Sequence, residues 1–245
     1  KKNCEEYSDI NFNKETVDKQ DLENKQNNLK EFIGGNSNLI ENTTNLKSLK
    51  KLVISGDGDC LFTSIFTGFL ISTKPENWNN VINELKFNIG KISEGKNSKS
   101  LKFEGSNIRK MIKYYVCMHK DELLEKNISE IGKISEYKLN SILGLGDIEY
   151  GGENEIIVLS KILDTKILTL QTTPYKTDKG EELILYHLNK PDLTYEILDE
   201  NELTNINKYD DTIILYNTGF QQGTDSGAEH FDLLLTPTQL NKLKD

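Results

Sequence analysis

Arginine is almost absent from this chain. Arg109 is the only one, and the other 29 of its 30 basic residues are lysines. Aspartate and glutamate together number 39, which leaves a net charge of −9. Nucleic acid is excluded as the main partner, because phosphate binding needs a basic face. A substrate whose contacting segment is basic suits this balance better. Cysteine is scarce as well. Cys4, Cys60 and Cys117 form no disulfide framework and no paired metal spacing, so a reducing, cytoplasmic compartment is expected. Long apolar runs are also lacking. The most continuous stretch, Cys60 to Ile71, is broken by Thr63, Ser64, Thr67 and Gly68, and it is too short to span a bilayer. The first residue is Lys1 rather than Met, and the opening is too polar for a signal peptide, as expected of a fragment of something longer.

A chain of 245 residues can hold one substantial domain with an extension. Its apolar share of 36% is low, and the deficit is concentrated in residues 1–48. There Val17, Leu22, Leu29, Phe32 and Ile33 make a sparse apolar stripe that predicts one amphipathic helix over about 15–33. Gly34-Gly35 stops it. The expectation is a polar N-terminal extension, loosely docked, followed by a main domain over 49–245. In that domain Leu52-Val53-Ile54 reads as a short buried strand, and Leu61, Phe62, Ile65, Phe66, Phe69 and Leu70 recur at helical spacing. Further helices are predicted over about 77–90, on Ile108, Met111, Ile112, Tyr115 and Val116, and after Tyr150-Gly151-Gly152. A loop is expected at 91–105. Strand-like runs follow at 166–171, 183–188, 212–216 and 231–235, so helices come mostly first and strands mostly last, which fits α+β.

The first chemistry-bearing segment is Gly56-Asp57-Gly58-Asp59-Cys60. Two glycines let the backbone turn sharply between a strand and a buried helix, exposing successive N–H groups in a small concavity. Cys60 falls at the helix N-terminus, where the dipole favours a thiolate. The same N–H groups can hold the oxyanion of a tetrahedral intermediate. A strand, a glycine turn and a helix with a buried cysteine are also ordinary core architecture, and the pattern alone leaves both readings open. No Glu or Asp closes a Ca²⁺ loop after Asp57 and Asp59.

A thiol nucleophile needs a base, and the base needs an orienting group. Only three histidines are available. His119 sits two residues from Cys117 on a helix, so the two point to different faces and His119 reads as a solvated cation. His187 lies in an apolar run and reads as structural. His230 immediately precedes the strand Phe231–Leu235, and alternation along a strand projects His230 and Asp232 to one side. Asp232 can then hold the imidazole through one nitrogen and leave the other for Cys60. A surface histidine beside a surface aspartate is the alternative.

Taken together, Asp57-Gly58-Asp59-Cys60-Leu61-Phe62 near the start and His230-Phe231-Asp232 near the end resemble the signature of the ovarian-tumour (OTU) family of cysteine deubiquitinases. Ile108-Arg109-Lys110 resembles that family's Leu-Arg-Lys helix start, and Tyr150-Gly151-Gly152 its Trp-Gly-Gly segment. The resemblance covers roughly 49–236. It implies a papain-like α+β fold with helices around a small central sheet, acting as a monomer without metal or cofactor. It also implies hydrolysis of the isopeptide bond after the C-terminal Gly-Gly of ubiquitin, with ubiquitin or polyubiquitin chains as partner. By the same carry-over Cys60 is nucleophile, His230 general base and Asp232 its orienter, with Asp57 as the alternative orienter. Asp57, Gly58 and Cys60 supply the oxyanion hole. Gly151 and Gly152 would admit the substrate's glycines closely, and Glu149, Glu153 and Asp147 would pair with arginines of its tail. Two rival functions are a protease for another ubiquitin-like modifier and a non-catalytic ubiquitin-binding module. The lysine- and asparagine-rich composition also suits an effector delivered to a host cytosol by an AT-rich bacterium.

Overall fold

In the computed structural model the described residues are 4–7, 19–43, 48–74, 89–95, 99–104, 107–125, 136–144, 151–176, 182–218 and 230–244, with 78, 134, 178 and 180 singly. A 3₁₀ turn at Cys4–Tyr7 is followed by α1 (Lys19–Gly35), β1 (Ile40–Asn42), β2 (Lys50–Leu52) and α2 (Cys60–Ser72). Next come β3 (Lys91–Glu94), β4 (Leu101–Glu104), α3 (Ile108–Met118), α4 (Lys120–Glu125), α5 (Glu136–Gly144) and α6 (Glu153–Ile162). The chain finishes with β5 (Ile167–Lys176), β6 (Glu182–Asn189), β7 (Tyr195–Leu198), β8 (Ile213–Asn217), β9 (Phe231–Leu235) and α7 (Pro237–Lys242). The result is a mixed α and β fold. Its main sheet has seven strands in the order β1-β2-β9-β8-β5-β6-β7, and β3 and β4 make a separate hairpin. Only the β5–β8 pairing in the main sheet is parallel.

The central strands are apolar on both faces because both faces are covered. Ile213, Leu215, Phe231, Leu233 and Leu235 share one core with the helices. Ile214 and Leu234 point the other way, into a smaller core closed by Leu203, Ile206 and Tyr209. Against the first face lies α2, every residue of which is buried. The predicted helix of Leu61 to Leu70 is therefore the central helix of the molecule. Ser64 Oγ donates to the carbonyl of Phe231 at 3.0 Å, fastening the start of that helix to the start of β9.

The polar N-terminal segment is less loose than its composition suggests. Leu22, Leu29 and Ile33 of α1 are almost fully buried in the main core, and each such side chain contributes about 1.5–3 kcal/mol. Their spacing of seven and four puts them on one helical face. Gln26 Nε2 also donates to the carbonyl of Leu70 at the end of α2, and β1 extends the main sheet by pairing Ile40 with Leu52. The helix stops at Gly35, after which Asn36 bonds back to Phe32 and Ile33.

Three expectations change. Residues 91–105 do not form a plain loop: β3 and β4 pair there, with Ile92 opposite Phe103. Strand pairing and the burial of Leu101 and Phe103 override the lysine-rich composition. The cysteines do form a disulfide: Cys4 is bonded to Cys117 across a separation of 113 residues, with Cα atoms 5.9 Å apart. No local spacing announces such a pair, since folding alone brings the 3₁₀ turn against α3. The cysteine content therefore gives no support to a reducing compartment. The strand expected at Leu52–Ile54 stops pairing at Leu52, and Ile54 bridges to Leu101 instead. The helix expected over 77–90 lies outside the described residues, apart from positions 78, 89 and 90.

Candidate active site

The cysteine turn is built from its backbone upward. Leu101 of the hairpin accepts from the N–H of Ser55 and donates to the carbonyl of Val53, both at 2.9 Å, which fixes the approach. Gly58 then adopts φ of +91°, a conformation that side-chain-bearing residues rarely take. Asp57 accepts from the N–H of Asp59 at 3.3 Å through its carboxylate. Cys60 follows as the first residue of α2, 1% exposed. At that position its N–H has no acceptor inside the helix, and the positive end of the dipole lies at the sulfur.

Asp59 occupies the N-cap position but its side chain makes no cap bond. It faces α3 instead, where Arg109 Nε donates to Asp59 Oδ1 at 2.7 Å and Arg109 Nη2 donates to the carbonyl of Gly58 at 2.8 Å. The guanidinium carbon lies 4.9 Å from the centre of the Phe62 ring. Arg109 is a contributor that motif reasoning noted without assigning work to it. Its signal was its isolation, since a bidentate, stacked site is where lysine cannot substitute.

His230 reaches this turn from the head of β9. Its Nε2 lies 3.2 Å from Asp232 Oδ1. An ionised carboxylate only accepts, so Nε2 carries the proton and Nδ1 is left for another partner. The Nδ1 edge faces the cysteine turn, since a Cβ on Gly56 would lie 3.7 Å from it. Cys60 acts on the imidazole as well as Asp232, both favouring its charged form. Its pKa is pushed up to about 10, first by the hydrogen bond to Asp232, then by Cys60, against the opposing effect of burial. A shift in that direction favours the imidazolium at neutral pH.

Asp232 is 3% exposed and is held from the other end. Its Oδ1 accepts from the N–H of Ile54 at 2.9 Å, and its Oδ2 lies 3.7 Å from Lys51 Nζ. Since β2 leaves β9 after Leu52, the Ile54 N–H takes a side-chain acceptor. Asp232 is thus the carboxylate on the imidazole, while the Asp57 carboxylate serves its own turn.

The remaining candidates are placed less directly. Gly151 packs onto α2: a Cβ there would lie 2.8 Å from Leu61 Cδ2 and 2.9 Å from Phe62 Cζ. Its tight approach is to this chain's own helix. Gly152 has open space beside it, and its N–H donates to Glu155 Oε2 at 2.7 Å at the start of α6. Burial pushes the Glu155 carboxyl up, opposed by that hydrogen bond and by the charge of Arg109. Glu153 is exposed on the first turn of α6, whereas Asp147, Glu149 and Tyr150 lie outside the described residues. His187 pairs with Thr169 and Ile197 within the sheet, and His119 ends α3, stacked on Tyr115. Neither belongs to the site. Among the described residues no three His, Cys, Asp or Glu side chains gather as a metal would require, and no helix is long and apolar enough to cross a membrane.

No protein-family model matches this chain, and no curated protein sequence does. Among solved structures the chain is similar to an OTU deubiquitinase from Wolbachia pipientis wMel bound to ubiquitin, at 14% identity and a TM-score of 0.38, over 78% of this chain and 98% of that one.

Proposed function

We propose that this chain is a thiol hydrolase that cleaves the isopeptide bond after the C-terminal Gly-Gly of ubiquitin. The observation that carries the chemistry is one imidazole whose Nε2 lies 3.2 Å from Asp232 Oδ1 while its Nδ1 edge faces the turn that carries Cys60. The choice of ubiquitin rests on the resemblance of the Asp57–Phe62 and His230–Asp232 segments to the OTU signature.

The geometry supports the following course. With its proton on His230, the pair presents a thiolate to the carbonyl carbon of the scissile bond. As the sulfur adds, negative charge moves to the carbonyl oxygen, where the N–H groups of Cys60 and Gly58 can receive it. His230 then gives its Nδ1 proton to the departing lysine amine, and the carbon–nitrogen bond breaks to leave a thioester on Cys60. Neutral His230 next takes a proton from water, the hydroxide equivalent attacks the thioester, and the sulfur leaves with the proton returned to the pair. Throughout, Asp232 keeps the ring oriented and stabilises its charged form. No step as written draws on a metal or cofactor. Exposed Glu153 and the open backbone at Gly152 are the described residues available to a basic, glycine-ended tail.

The test is covalent capture by ubiquitin bearing a C-terminal cysteine trap. Wild type should form a one-to-one adduct, Cys60→Ala none, and His230→Ala a strongly slowed one. Failure of folded wild type to react, together with capture by another modifier's probe, would move the substrate to that modifier. Reversible ubiquitin binding without cleavage or capture would make the chain a binding module.

A further inference from the structure

The thiol chemistry alone leaves Arg109 unexplained. It is one of the few charged residues in the core, 9% exposed, and it binds neither Cys60 nor His230 through any bond described above. Two acceptors of its fork are in the two residues immediately before Cys60: the carbonyl of Gly58 at 2.8 Å and the carboxylate of Asp59 at 2.7 Å. One planar group thus grips a backbone oxygen and the adjacent side chain, while its face rests 4.9 Å from the Phe62 ring centre. Three contacts to positions 58, 59 and 62 fix the orientation of the Gly58–Asp59 peptide. That peptide connects the two N–H groups, of Gly58 and of Cys60, that the oxyanion would use. Because Gly58 sits at φ of +91°, its neighbourhood has more than one backbone conformation open to it, so an external hold on its carbonyl selects among them.

We infer that Arg109 is a positioning residue for the oxyanion hole. It holds the Gly58–Asp59 peptide so that the N–H groups of Gly58 and Cys60 converge on one point, and it acts on the transition state through the turn. The inference rests on the thiol-hydrolase reading and specifies how that reaction's charge is held. Lysine would keep the charge against Asp59 but lose the fork and the planar stacking. The effect should therefore appear in a conservative Arg109→Lys variant. Asp59→Asn, which keeps an acceptor for Nε, should show a weaker form of it.

The experiment compares wild type, Arg109→Lys and Asp59→Asn on ubiquitin carrying a C-terminal fluorogenic amide. Three readouts accompany it: the inhibition constant of ubiquitin C-terminal aldehyde, the rate of Cys60 alkylation by iodoacetamide across pH, and the melting temperature. The aldehyde adds the Cys60 sulfur to its carbonyl carbon, and the resulting hemithioacetal oxygen occupies the oxyanion position. Losing an oxyanion donor lowers kcat by about 10²–10³-fold, and Arg109→Lys should approach that range with KM changed less than about twofold. The aldehyde should weaken in step with kcat while the alkylation rate and its pH profile stay as in wild type. A purely structural arginine would instead lower the melting temperature and reduce alkylation, KM and kcat effects together without that split. Unchanged kcat in Arg109→Lys, or a loss shared equally by alkylation, overturns the inference while leaving an active wild type in place. A folded wild type that neither cleaves the amide nor binds the aldehyde overturns the thiol-hydrolase reading, and this inference with it.

Discussion

In the turn that carries Cys60 it is the backbone groups that are held in place, whereas at His230, whose main chain is already paired at the head of β9, it is the side chain that is held. On the cysteine side, Val53 and Ser55 are paired to Leu101, the Gly58 carbonyl to Arg109, and the Asp59 N–H to Asp57. On the histidine side, the imidazole leans on Asp232, and Asp232 on Lys51 and one N–H of the opposite half, that of Ile54. On the proposed thiol-hydrolase reading, the contrast matches what each half would supply. An oxyanion is received by peptide N–H groups, which are aimed only by fixing the main chain. A base is tuned by charge, which side chains provide and which can titrate. Changes on the histidine side should therefore alter rate and carry a stability cost that depends on pH, and changes in the surrounding core should cost stability at every pH while sparing the rate.

The sharpest way to break that contrast is Asp232→Asn, which keeps an acceptor for the Ile54 N–H but removes the charge. Turnover should fall by about 10³–10⁴-fold, and the His230 midpoint, followed by its ring-proton NMR signal, should drop well below about 10. The sign in stability follows from linkage. A histidine raised from 6.5 to about 10 contributes stability that is fully present below the lower value and lost as pH rises through the higher. Urea melts should thus show the Asp232→Asn penalty in full below about 6.5 and losing it as pH passes about 10.

A smaller effect on chemistry, and the opposite profile, is expected at α1. Leu29→Ala empties a fully buried position and should cost about 2–5 kcal/mol in urea unfolding, with kcat of the folded fraction unchanged. A penalty below about 0.5 kcal/mol, as exposed sites give, would return the N-terminal segment to a loosely docked extension. Smaller again is Cys4→Ser, which opens the bridge to Cys117 and should lower stability by about 2–4 kcal/mol. A reductant should produce the same loss in wild type and none in the variant, and Cys60 labelling by the ubiquitin probe should persist in both.

What could be read in the sequence was what is local. The glycine turn, the buried helix after Cys60 and the two-residue spacing of His230 and Asp232 all depend on near neighbours, and each recurs in the structure as an arrangement of those neighbours. The long strands were visible because continuous apolar runs mark sheets covered on both faces, as in Ile213–Leu215 and Leu233–Leu235. The rest was invisible for a common reason, which is separation along the chain. The N–H that steadies Asp232 comes from 178 residues away, the fork that steadies Gly58 from 51 residues away, and the partner of Cys117 from 113. The hairpin of β3 and β4 did leave a trace, since Leu101 and Phe103 alternate with Lys102 and Glu104, but four residues of alternation are easily lost among lysines and glycines. The low apolar content of the N-terminal segment misled because three well-placed side chains suffice to seat a helix.

The Cys4–Cys117 bond has one more consequence, which concerns oxidative damage. A thiol that is oxidised to a sulfenic acid is normally rescued by a neighbouring thiol, which condenses with it and can then be reduced. This chain has three cysteines, and two of them are already committed to each other, so Cys60 has no resolving partner of its own. Under peroxide its recovery depends on thiols from outside the chain, such as a small-molecule reductant able to reach a sulfur that is 1% exposed. Without them the path leads onward to the sulfinic acid, which thiols do not reverse.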